Sequence, residues 1–323
     1  MRNYSCSCAV KIRGLNWIQP KISIIIPTLN GAESLAVLLK QITLQTVQVQ
    51  EIVVVDSQST DNTVKVAQEF GAEVLTVEKS EFDHGGTRNW AADRASGDVL
   101  VFMTQDAIPA DRYTLAKLIQ SLWEPEIILT YARQIPYLET IVTDKFLRKF
   151  NYPEQGEVRS EEDIITMGIK AFKNSNVCAA YRAKEFEELG GFHAPVVSNE
   201  DMLFAAKAII AGYKVAYAAE ALVWHSHNYS CWSLFKRYFD IGASLDYAPV
   251  VKLRGKSESA GFGFMFSQLR YIIKQRKFLW IPRAWAEAGF KYAGYKLGTK
   301  HQRLPNTWKK RLGLHKEYWK KQE

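Results

Sequence analysis

The sequence predicts an α/β fold in which a mostly parallel sheet is flanked by helices and followed by a helical extension. Three observations carry this prediction. Four short apolar runs rich in β-branched residues occur in the first third of the chain, and segments with helical spacing or helix-capping residues separate them. Residues 231–323 then combine many lysines and arginines with many aromatic residues. Alternating strands and helices are typical of a parallel sheet.

Each of the four apolar runs predicts a buried strand. They are residues 22–26, 51–55, 73–77 and 98–102. The runs are nearly continuous in apolar residues, as is typical of strands that are covered on both faces.

Two helices are predicted between these strands. Leucine and isoleucine recur at helical spacing over Glu33–Gln45, between the first two runs. Residues 59–62 can cap a second helix, and Gly71 marks its end. The connections are short, so we expect right-handed crossovers between parallel strands. In such sheets ligands bind beyond the carboxyl ends of the strands.

Polar residues follow the strands at that edge. Residues 27–30 follow the first run, Asp56 and Ser57 follow the second, and residues 104–106 follow the fourth. Asp56 comes directly after three buried valines, where packing gives no reason for a carboxylate. This edge of the sheet is therefore the predicted functional site.

The second half of the chain is less regular. Residues 125–175 mix aromatics, prolines and charges, and we interpret them as loops and a helix. Further on, a helix is predicted to end at Gly212, and residues 214–218 predict a short strand. Trp224-His225-Ser226-His227 follows, and its two histidines are candidate metal ligands.

Composition excludes several classes of protein. Hydrophobic residues make up 47% of the chain and aromatic residues 12%, which excludes a disordered protein. The four cysteines have no C-x-x-C spacing and are too few for a disulfide framework, so a reducing compartment is expected. Residues 1–20 lack the apolar stretch of a secretory signal, and no run is long enough to span a bilayer.

The positive charge is concentrated near the C-terminus. The formal net charge is +8, and residues 231–323 hold most of the excess lysine and arginine. Lys/Arg mixed with Trp, Phe and Leu is typical of an interfacial amphipathic helix, which predicts contact with an anionic membrane. The alternative is a helical subdomain whose aromatics pack internally or form a dimer seam. Nucleic acid is not expected as a partner, because no binding motif accompanies the charge.

Several motifs together resemble one enzyme family. They are the segment 24–30 with Glu33, the segment 54–63, Gly190-Gly191-Phe192 and Asn199-Glu200-Asp201. In this order they resemble inverting glycosyltransferase family 2, which implies a GT-A fold over roughly residues 20–235. His84–Asn89 and Met103–Pro109 further resemble bacterial rhamnosyltransferases of surface polysaccharide biosynthesis.

The resemblance implies a set of residues that bind the nucleotide-sugar donor. They are Thr28, Asn30, Glu33, Asp56, Asp61, Arg88, Gln105 and Asp106. Two of these positions have an alternative interpretation. Asp61 with Asn62 is equally an ordinary helix cap. The Gly-Gly pair before Arg88 is either a flexible turn or a place where backbone N–H groups approach an anion.

A divalent cation, Mg²⁺ or Mn²⁺, is also implied. Family members usually carry two acids separated by one position after the fourth strand, whereas here Thr104 stands in place of the first acid and Asp106 remains. The family analogy adds His225 as a second ligand, with His227 as the alternative. A lone histidine near an apolar strand is more often structural, and that interpretation stays open.

The resemblance assigns the catalytic base to Asp201. Its alternative role is that of a first-turn carboxylate stabilised by the helix dipole, and the two roles are compatible. A single base without a second, nucleophilic carboxylate implies one displacement with inversion.

The expected activity is transfer of L-rhamnose from dTDP-L-rhamnose to a glycan or polyprenyl-linked acceptor at the cytoplasmic face of the cell membrane. The alternatives are a related enzyme that uses UDP-hexose or GDP-mannose, and a glycan- or lipid-binding scaffold without catalysis. The expected division is an extension (1–20), a GT-A domain (21–230) and a region for membrane association or homodimer formation (231–323).

Overall fold

A computed structural model of the chain describes residues 20–247 and 254–321. The predicted N-terminal extension, apart from Pro20, lies outside the described residues. The first half contains the elements β1 (Ile22–Thr28), α1 (Ala32–Thr43), β2 (Val49–Asp56), α2 (Thr63–Glu69), β3 (Glu73–Thr76), α3 (Gly86–Ala92), β4 (Val99–Met103), β5 (Ile108–Pro109), α4 (Thr114–Ile119), β6 (Ile127–Ile135) and α5 (Val142–Asn151).

The second half adds three strands and eight helices to the described part of the chain. These are β7 (Glu157–Arg159), α6 (Asp163–Met167), β8 (Cys178–Arg182), α7 (Ala183–Glu188), α8 (Glu200–Ile210), β9 (Lys214–Trp224), α9 (Cys231–Ser244), α10 (Arg254–Lys274), α11 (Ile281–Gly298), α12 (Asn306–Leu312) and α13 (Lys316–Lys320). The elements predicted in the first third all form, with boundaries that differ by a few residues. The prediction that the third strand is buried was wrong: β3 lies at the edge of the sheet, and its residues are exposed or half-buried.

One sheet holds the strands together in the order β3-β2-β1-β4-β8-β6-β9-β5, and β7 pairs with β9. Strands β1 to β4 are parallel, and β6 and β9 are parallel to each other. Strand β8 runs antiparallel between β4 and β6. The mostly parallel α/β sheet that the sequence predicted is confirmed.

Helices cover both faces of this sheet. Alternate residues of β1 and β2 belong to different cores: Ile25 and Val53 face one cluster, whereas Ile24 and Val54 face the other. Side chains alternate between the two faces of a strand, so a strand buried on both faces must be apolar throughout. This explains the continuous apolar runs of the sequence.

Two central strands were not predicted. Residues 125–175 were expected to form loops and a helix, but Ile127–Ile135 forms β6, and β8 follows at Cys178–Arg182. Strand β9 also runs on to Trp224 instead of ending at residue 218. Its register on β6 shifts between Ala132 and Arg133, and pairing then resumes at Leu222. Such a bulge interrupts the alternation on which strand prediction relies.

The predicted helical extension is confirmed, and its helices pack closely on one another. Gly294 and Gly298 of α11 lie against the carbonyl oxygens of Phe235 and Phe239 of α9, where a Cβ would overlap them. A third core cluster joins these helices to Val197. The extension is therefore packed partly through its own aromatic residues.

Other apolar residues of the extension are exposed. In the turn between α10 and α11, Phe278 is 56% exposed and Leu279 is 95% exposed. Residues 273–279 are exposed throughout and include Lys274, Arg276 and Lys277. Among the described residues, the longest helices are too polar to cross a bilayer. We call residues 273–279 the basic tip.

Candidate active site

The carboxyl ends of β1 and β2 meet at Thr28 and Asp56, which are paired in the sheet. Asp56 is almost fully buried and accepts hydrogen bonds from the Thr28 hydroxyl (3.2 Å) and from the backbone N–H (2.8 Å) and hydroxyl (2.5 Å) of Ser59. The carboxylate that packing could not explain thus organises the loop after β2. It shapes this edge of the site through its neighbours.

Asn30 and Asp61 connect the loops that follow these two strands. Asn30 has a positive φ of 48°, and its side-chain oxygen accepts a hydrogen bond from the Thr60 N–H at 2.7 Å. Asp61 accepts hydrogen bonds from the backbone N–H groups of Thr63 (3.0 Å) and Ala32 (3.1 Å). These two donors are the first residues of α2 and α1, so Asp61 satisfies the first N–H group of each helix. The N-cap residue of α2 is Asn62, which makes no side-chain capping hydrogen bond. The Asp61 carboxylate is nevertheless exposed.

Glu33 and Gln105 lie close to the same loops. Glu33 is exposed in the first turn of α1. Gln105 binds both backbone groups of Leu29. Its Oε1 accepts a hydrogen bond from the Leu29 N–H (3.0 Å), and its Nε2 donates one to the Leu29 carbonyl oxygen (3.3 Å). The side-chain amide of Gln105 therefore ties the end of β4 to the end of β1.

A candidate metal site lies next to this edge. Asp106 follows β4, and His225 and His227 follow β9; their potential ligand atoms all lie within 4.8 Å of one another. Asp106 Oδ2 is 3.6 Å from His225 Nε2 and 3.8 Å from His227 Nε2. Two ligands at about 2.1 Å from one ion are about 3 to 4 Å apart, so both separations suit a shared cation.

Gln134 determines which nitrogen of His225 is free. Arg148 can only donate hydrogen bonds, and it donates to Gln134 Oε1. The same oxygen lies 2.9 Å from His225 Nδ1, so Nδ1 carries the proton and donates it. His225 Nε2 then carries a free lone pair and lies 3.6 Å from Asp106 Oδ2. A second group that orients a histidine in this way is typical of metal sites.

Both histidines are held in the neutral form that binds metals. Burial lowers the pKa of His225 well below its usual value, and the positive charge of Arg148 adds to this. Burial also lowers the pKa of His227, against the opposing effect of Asp106. One carboxylate and two neutral imidazoles therefore fit a divalent cation.

Asp201 lies in the first turn of α8, after Asn199 in the left-handed conformation (φ 63°). Its Oδ2 accepts from the Asn176 N–H at 3.1 Å and its Oδ1 from the Met202 N–H at 2.7 Å. Burial, with the negative charge of Glu200, raises the pKa of Asp201 to about 7. A carboxylate with such a pKa can take up a proton near neutral pH.

Arg88 reaches this group from α3. It is buried and lies 3.3 Å from Glu200 Oε1, while it donates a hydrogen bond to the His84 carbonyl at 2.9 Å. His84 in turn contacts His315 of the C-terminal extension, with 3.4 Å between ring nitrogens. The loop with Gly85 and Gly86 is thus supported by the extension.

The structure brings the predicted residues into three groups. The first group shapes the loops after β1, β2 and β4 and comprises Thr28, Asn30, Asp56, Asp61 and Gln105. The second is the candidate metal site, which contains Asp106 and His225. In the third, Arg88 contacts Glu200, the residue next to Asp201.

Sequence reasoning kept His227 only as an alternative and did not assign Gln134. The H-x-H spacing was a signal for His227. No local pattern pointed to Gln134, because the strand that carries it was missed.

A cavity of about 170 Å³ adjoins the candidate metal site. It lies between α5, α9 and α11, and its lining includes His227, Tyr152, Tyr229 and Arg237. The hydroxyl of Tyr152 accepts a hydrogen bond of 2.6 Å from Gln134 Nε2. Burial raises the pKa of Tyr152, and the Asp201 carboxylate contributes to this increase. The cavity therefore lies beside the candidate metal site.

Comparison with known sequences identifies relatives of nearly full length. Residues 23–190 match the profile of "Glycosyl transferase family 2". The chain is 40% identical to the O-antigen chain rhamnosyltransferase RfbN of Salmonella typhimurium over 302 residues, covering 93% of this chain and 96% of that one. It is 37% identical to the O-antigen chain rhamnosyltransferase WbaN of Salmonella anatum over 303 residues, with the same coverage.

Solved structures with the same fold are more distant in sequence. A mannosyltransferase from Pyrobaculum calidifontis, solved in complex with GDP-Man and Mn²⁺, superposes with a TM-score of 0.62 at 17% identity. The match covers 87% of this chain and 88% of that one. Residues 1–349 of TarS from S. aureus give a TM-score of 0.54 at 17% identity, with 88% and 91% coverage. At 17% identity these similarities show a shared fold and no more.

Proposed function

The chain belongs to glycosyl transferase family 2 and has its GT-A fold, and from this premise we propose that it transfers L-rhamnose from dTDP-L-rhamnose to a glycan acceptor with inversion. The names of the two Salmonella relatives support rhamnose as the transferred sugar and a surface polysaccharide as the product. Their similarity extends over nearly the whole of both chains, so it includes the C-terminal extension.

The main support for a catalytic function is the environment of the Asp201 carboxylate. The side chain is half-buried and adjoins Glu200, and its pKa is raised to about 7. Backbone N–H groups of Asn176 and Met202 hold both of its oxygens. A binding scaffold gains nothing from a carboxylate with so high a pKa, whereas a general base works best with a pKa near the working pH.

In the proposed reaction, Asp201 takes the proton of the acceptor hydroxyl. The acceptor oxygen forms a bond to the anomeric carbon as the bond from that carbon to the diphosphate breaks, and the electron pair leaves with the nucleoside diphosphate. A single displacement inverts the anomeric centre. Asp106, His225 and His227 would hold a divalent cation. That cation supplies Lewis-acid stabilisation of the departing diphosphate.

The donor-binding residues divide into two roles in this proposal. Glu33 and Asp61 are exposed and available to the nucleoside, and Asp61 also holds the first N–H groups of α1 and α2. The others position the loops: Thr28, Asn30, Asp56 and Gln105 hydrogen-bond within the protein, and Arg88 is buried against Glu200.

The ligand set favours Mn²⁺ over Mg²⁺. Two imidazoles and one carboxylate offer more nitrogen than Mg²⁺ prefers, because Mg²⁺ is usually bound by oxygen and retains several waters. The family's first acid is replaced by Thr104, and His227 would supply a further ligand in its place. We therefore propose Mn²⁺ as the more effective cation.

We also propose that the enzyme acts at the cytoplasmic face of the cell membrane on a polyprenyl-linked acceptor. The basic tip supports this, because exposed Phe278 and Leu279 adjoin three cationic side chains. Such a surface binds anionic lipid by apolar burial and by charge. A homodimer seam is the competing use of this surface.

Vesicle flotation distinguishes these uses. Leu279→Asp should reduce binding to vesicles that contain anionic lipid, whereas Val37→Asp, at an exposed site on α1, should not. Loss of a dimer with unchanged vesicle binding would instead assign the tip to self-association.

The experiment that tests the proposed function is a panel of nucleotide sugars. The purified protein is incubated with Mn²⁺ and with dTDP-rhamnose, UDP-hexoses or GDP-mannose, and release of nucleoside diphosphate is measured with and without a glycan acceptor. Consumption of dTDP-rhamnose alone is expected. Preference for a UDP or GDP sugar would replace the proposed donor, and a lack of turnover with every donor would favour a scaffold.

A further inference from the structure

Most cations around the site are neutralised within the protein. Three of them have a carboxylate partner: Arg88 pairs with Glu200 at 3.3 Å, Arg148 with Asp144 at 3.4 Å, and Lys291 with Glu287 at 4.0 Å. A guanidinium or ammonium group that is already paired in this way is less available for an anionic ligand. The remaining cation of the cavity is Arg237.

Arg237 differs from these cations in its environment. It is exposed, lines the cavity, and has no carboxylate within ion-pair distance among residues 20–247 and 254–321. Its contact is with the ring of Tyr229, 5.7 Å from the guanidinium carbon. A cation–π contact at an exposed position is weak, so it leaves the guanidinium hydrogen-bond donors free for a ligand.

The position of Arg237 connects it to the candidate metal site. The Tyr229 ring that it contacts lies 4.9 Å from the ring of His227, and His227 Nε2 lies 3.8 Å from Asp106 Oδ2. His227 and Arg237 also line the same cavity. Arg237 is thus separated from the metal-site residues by one aromatic side chain.

We propose that Arg237 binds the diphosphate of the nucleotide-sugar donor, so that helix α9, beyond the family-matched residues 23–190, completes the donor site. The inference rests on the proposed glycosyltransferase function. Guanidinium groups bind phosphate oxygens through two parallel hydrogen bonds. The diphosphate gains negative charge as the sugar leaves, and Arg237 stabilises that charge together with the cation.

A diphosphate could also belong to a polyprenyl-linked acceptor. The donor is favoured because Arg237 adjoins the residues that would hold the cation, and that cation is shared with the leaving group. The experiment therefore measures donor and acceptor separately.

The test compares Arg237→Gln and Arg237→Lys with the wild type. Calorimetry with dTDP, UDP and GDP, at fixed Mn²⁺, first identifies the nucleoside diphosphate that the wild type binds. Arg237→Gln should weaken that nucleotide about 10- to 100-fold, as expected for a lost charged hydrogen bond, and Arg237→Lys should recover part of the loss. Lys236→Gln is the matched control, because Lys236 faces the Trp232 ring at 5.7 Å, and it should bind like the wild type.

Steady-state kinetics give a second readout. Arg237→Gln should raise KM for the donor and lower kcat, while KM for the acceptor changes less than about threefold. Circular dichroism should show an unchanged fold, since the side chain is exposed.

Unchanged nucleotide affinity in Arg237→Gln, or an effect confined to the acceptor KM, would overturn the inference and leave the proposed donor standing. If the wild type binds UDP or GDP instead of dTDP, the proposal that dTDP-rhamnose is the donor is refuted. The role of Arg237 is then tested with the nucleotide that binds. A wild type that binds no nucleoside diphosphate would overturn both.

Discussion

Replacing Asp201 by asparagine removes the proposed base and keeps the size of the side chain. The amide oxygen of asparagine can still accept the Met202 N–H, which donates to Asp201 Oδ1 at 2.7 Å in the wild type, so the first turn of α8 should survive. A positioned general base contributes about 10²- to 10⁴-fold to a rate. We therefore expect kcat to fall by about that factor, and nucleotide affinity to stay within about threefold, because Asp201 lies outside the loops after β1 and β2.

The pH dependence makes the test specific. Because the pKa of Asp201 is raised to about 7, the wild-type rate should increase with pH up to about that value and then level off. Asp201→Asn should lack this ascending limb. Initial rates of nucleoside diphosphate release between about pH 5.5 and 9, with calorimetry of nucleotide binding, provide the data. A variant that keeps wild-type kcat, or an ascending limb that persists in it, would refute the role of Asp201.

Asp201 should also make the free energy of unfolding depend on pH in a predictable direction. Its folded pKa of about 7 lies above the ordinary 3.8, so the folded state favours the protonated form. The associated stability is present below about pH 4 and is lost as pH rises to about 7. A difference of about three pKa units corresponds to at most about 4 kcal/mol. Asparagine does not ionise, so urea unfolding of Asp201→Asn should show less of this decline.

Three further predictions follow from other parts of the structure. Asp106→Asn and His227→Ala should each weaken Mn²⁺ binding, measured by paramagnetic resonance with nucleotide present, by about tenfold or more; unaltered binding would place the ion elsewhere. Arg159→Met should lower the free energy of unfolding in urea by about 3 kcal/mol, since the buried guanidinium donates to three oxygen atoms, and a loss below 1 kcal/mol would contradict this. Gly294→Ala should cost about 1 to 3 kcal/mol at the α9–α11 contact, whereas Gly289→Ala, in open space on the same helix, should stabilise by about 0.5 kcal/mol; equal effects would argue against this packing.

Local patterns were sufficient for the first third of the fold. Strands β1, β2 and β4 are short and contain continuous apolar runs, and helix α1 has regular leucine spacing, so each signal lies within a few consecutive residues. Strand β6 escaped prediction because its apolar start runs into Arg133 and Gln134. Those polar side chains are acceptable in a strand only because Tyr152, Ser175 and Glu154 supply their hydrogen bonds.

The sequence by itself determined the family, the order of the central elements and most of the candidate residues, because these depend on short motifs and on the periods of strands and helices. The tertiary structure decided which groups act together. Only folding brings Asp106 to His225 and His227, orients His225 through Gln134, and places Arg237 of the extension beside them. Such contacts join residues far apart in the chain, and the local spacing of residues contains no record of them.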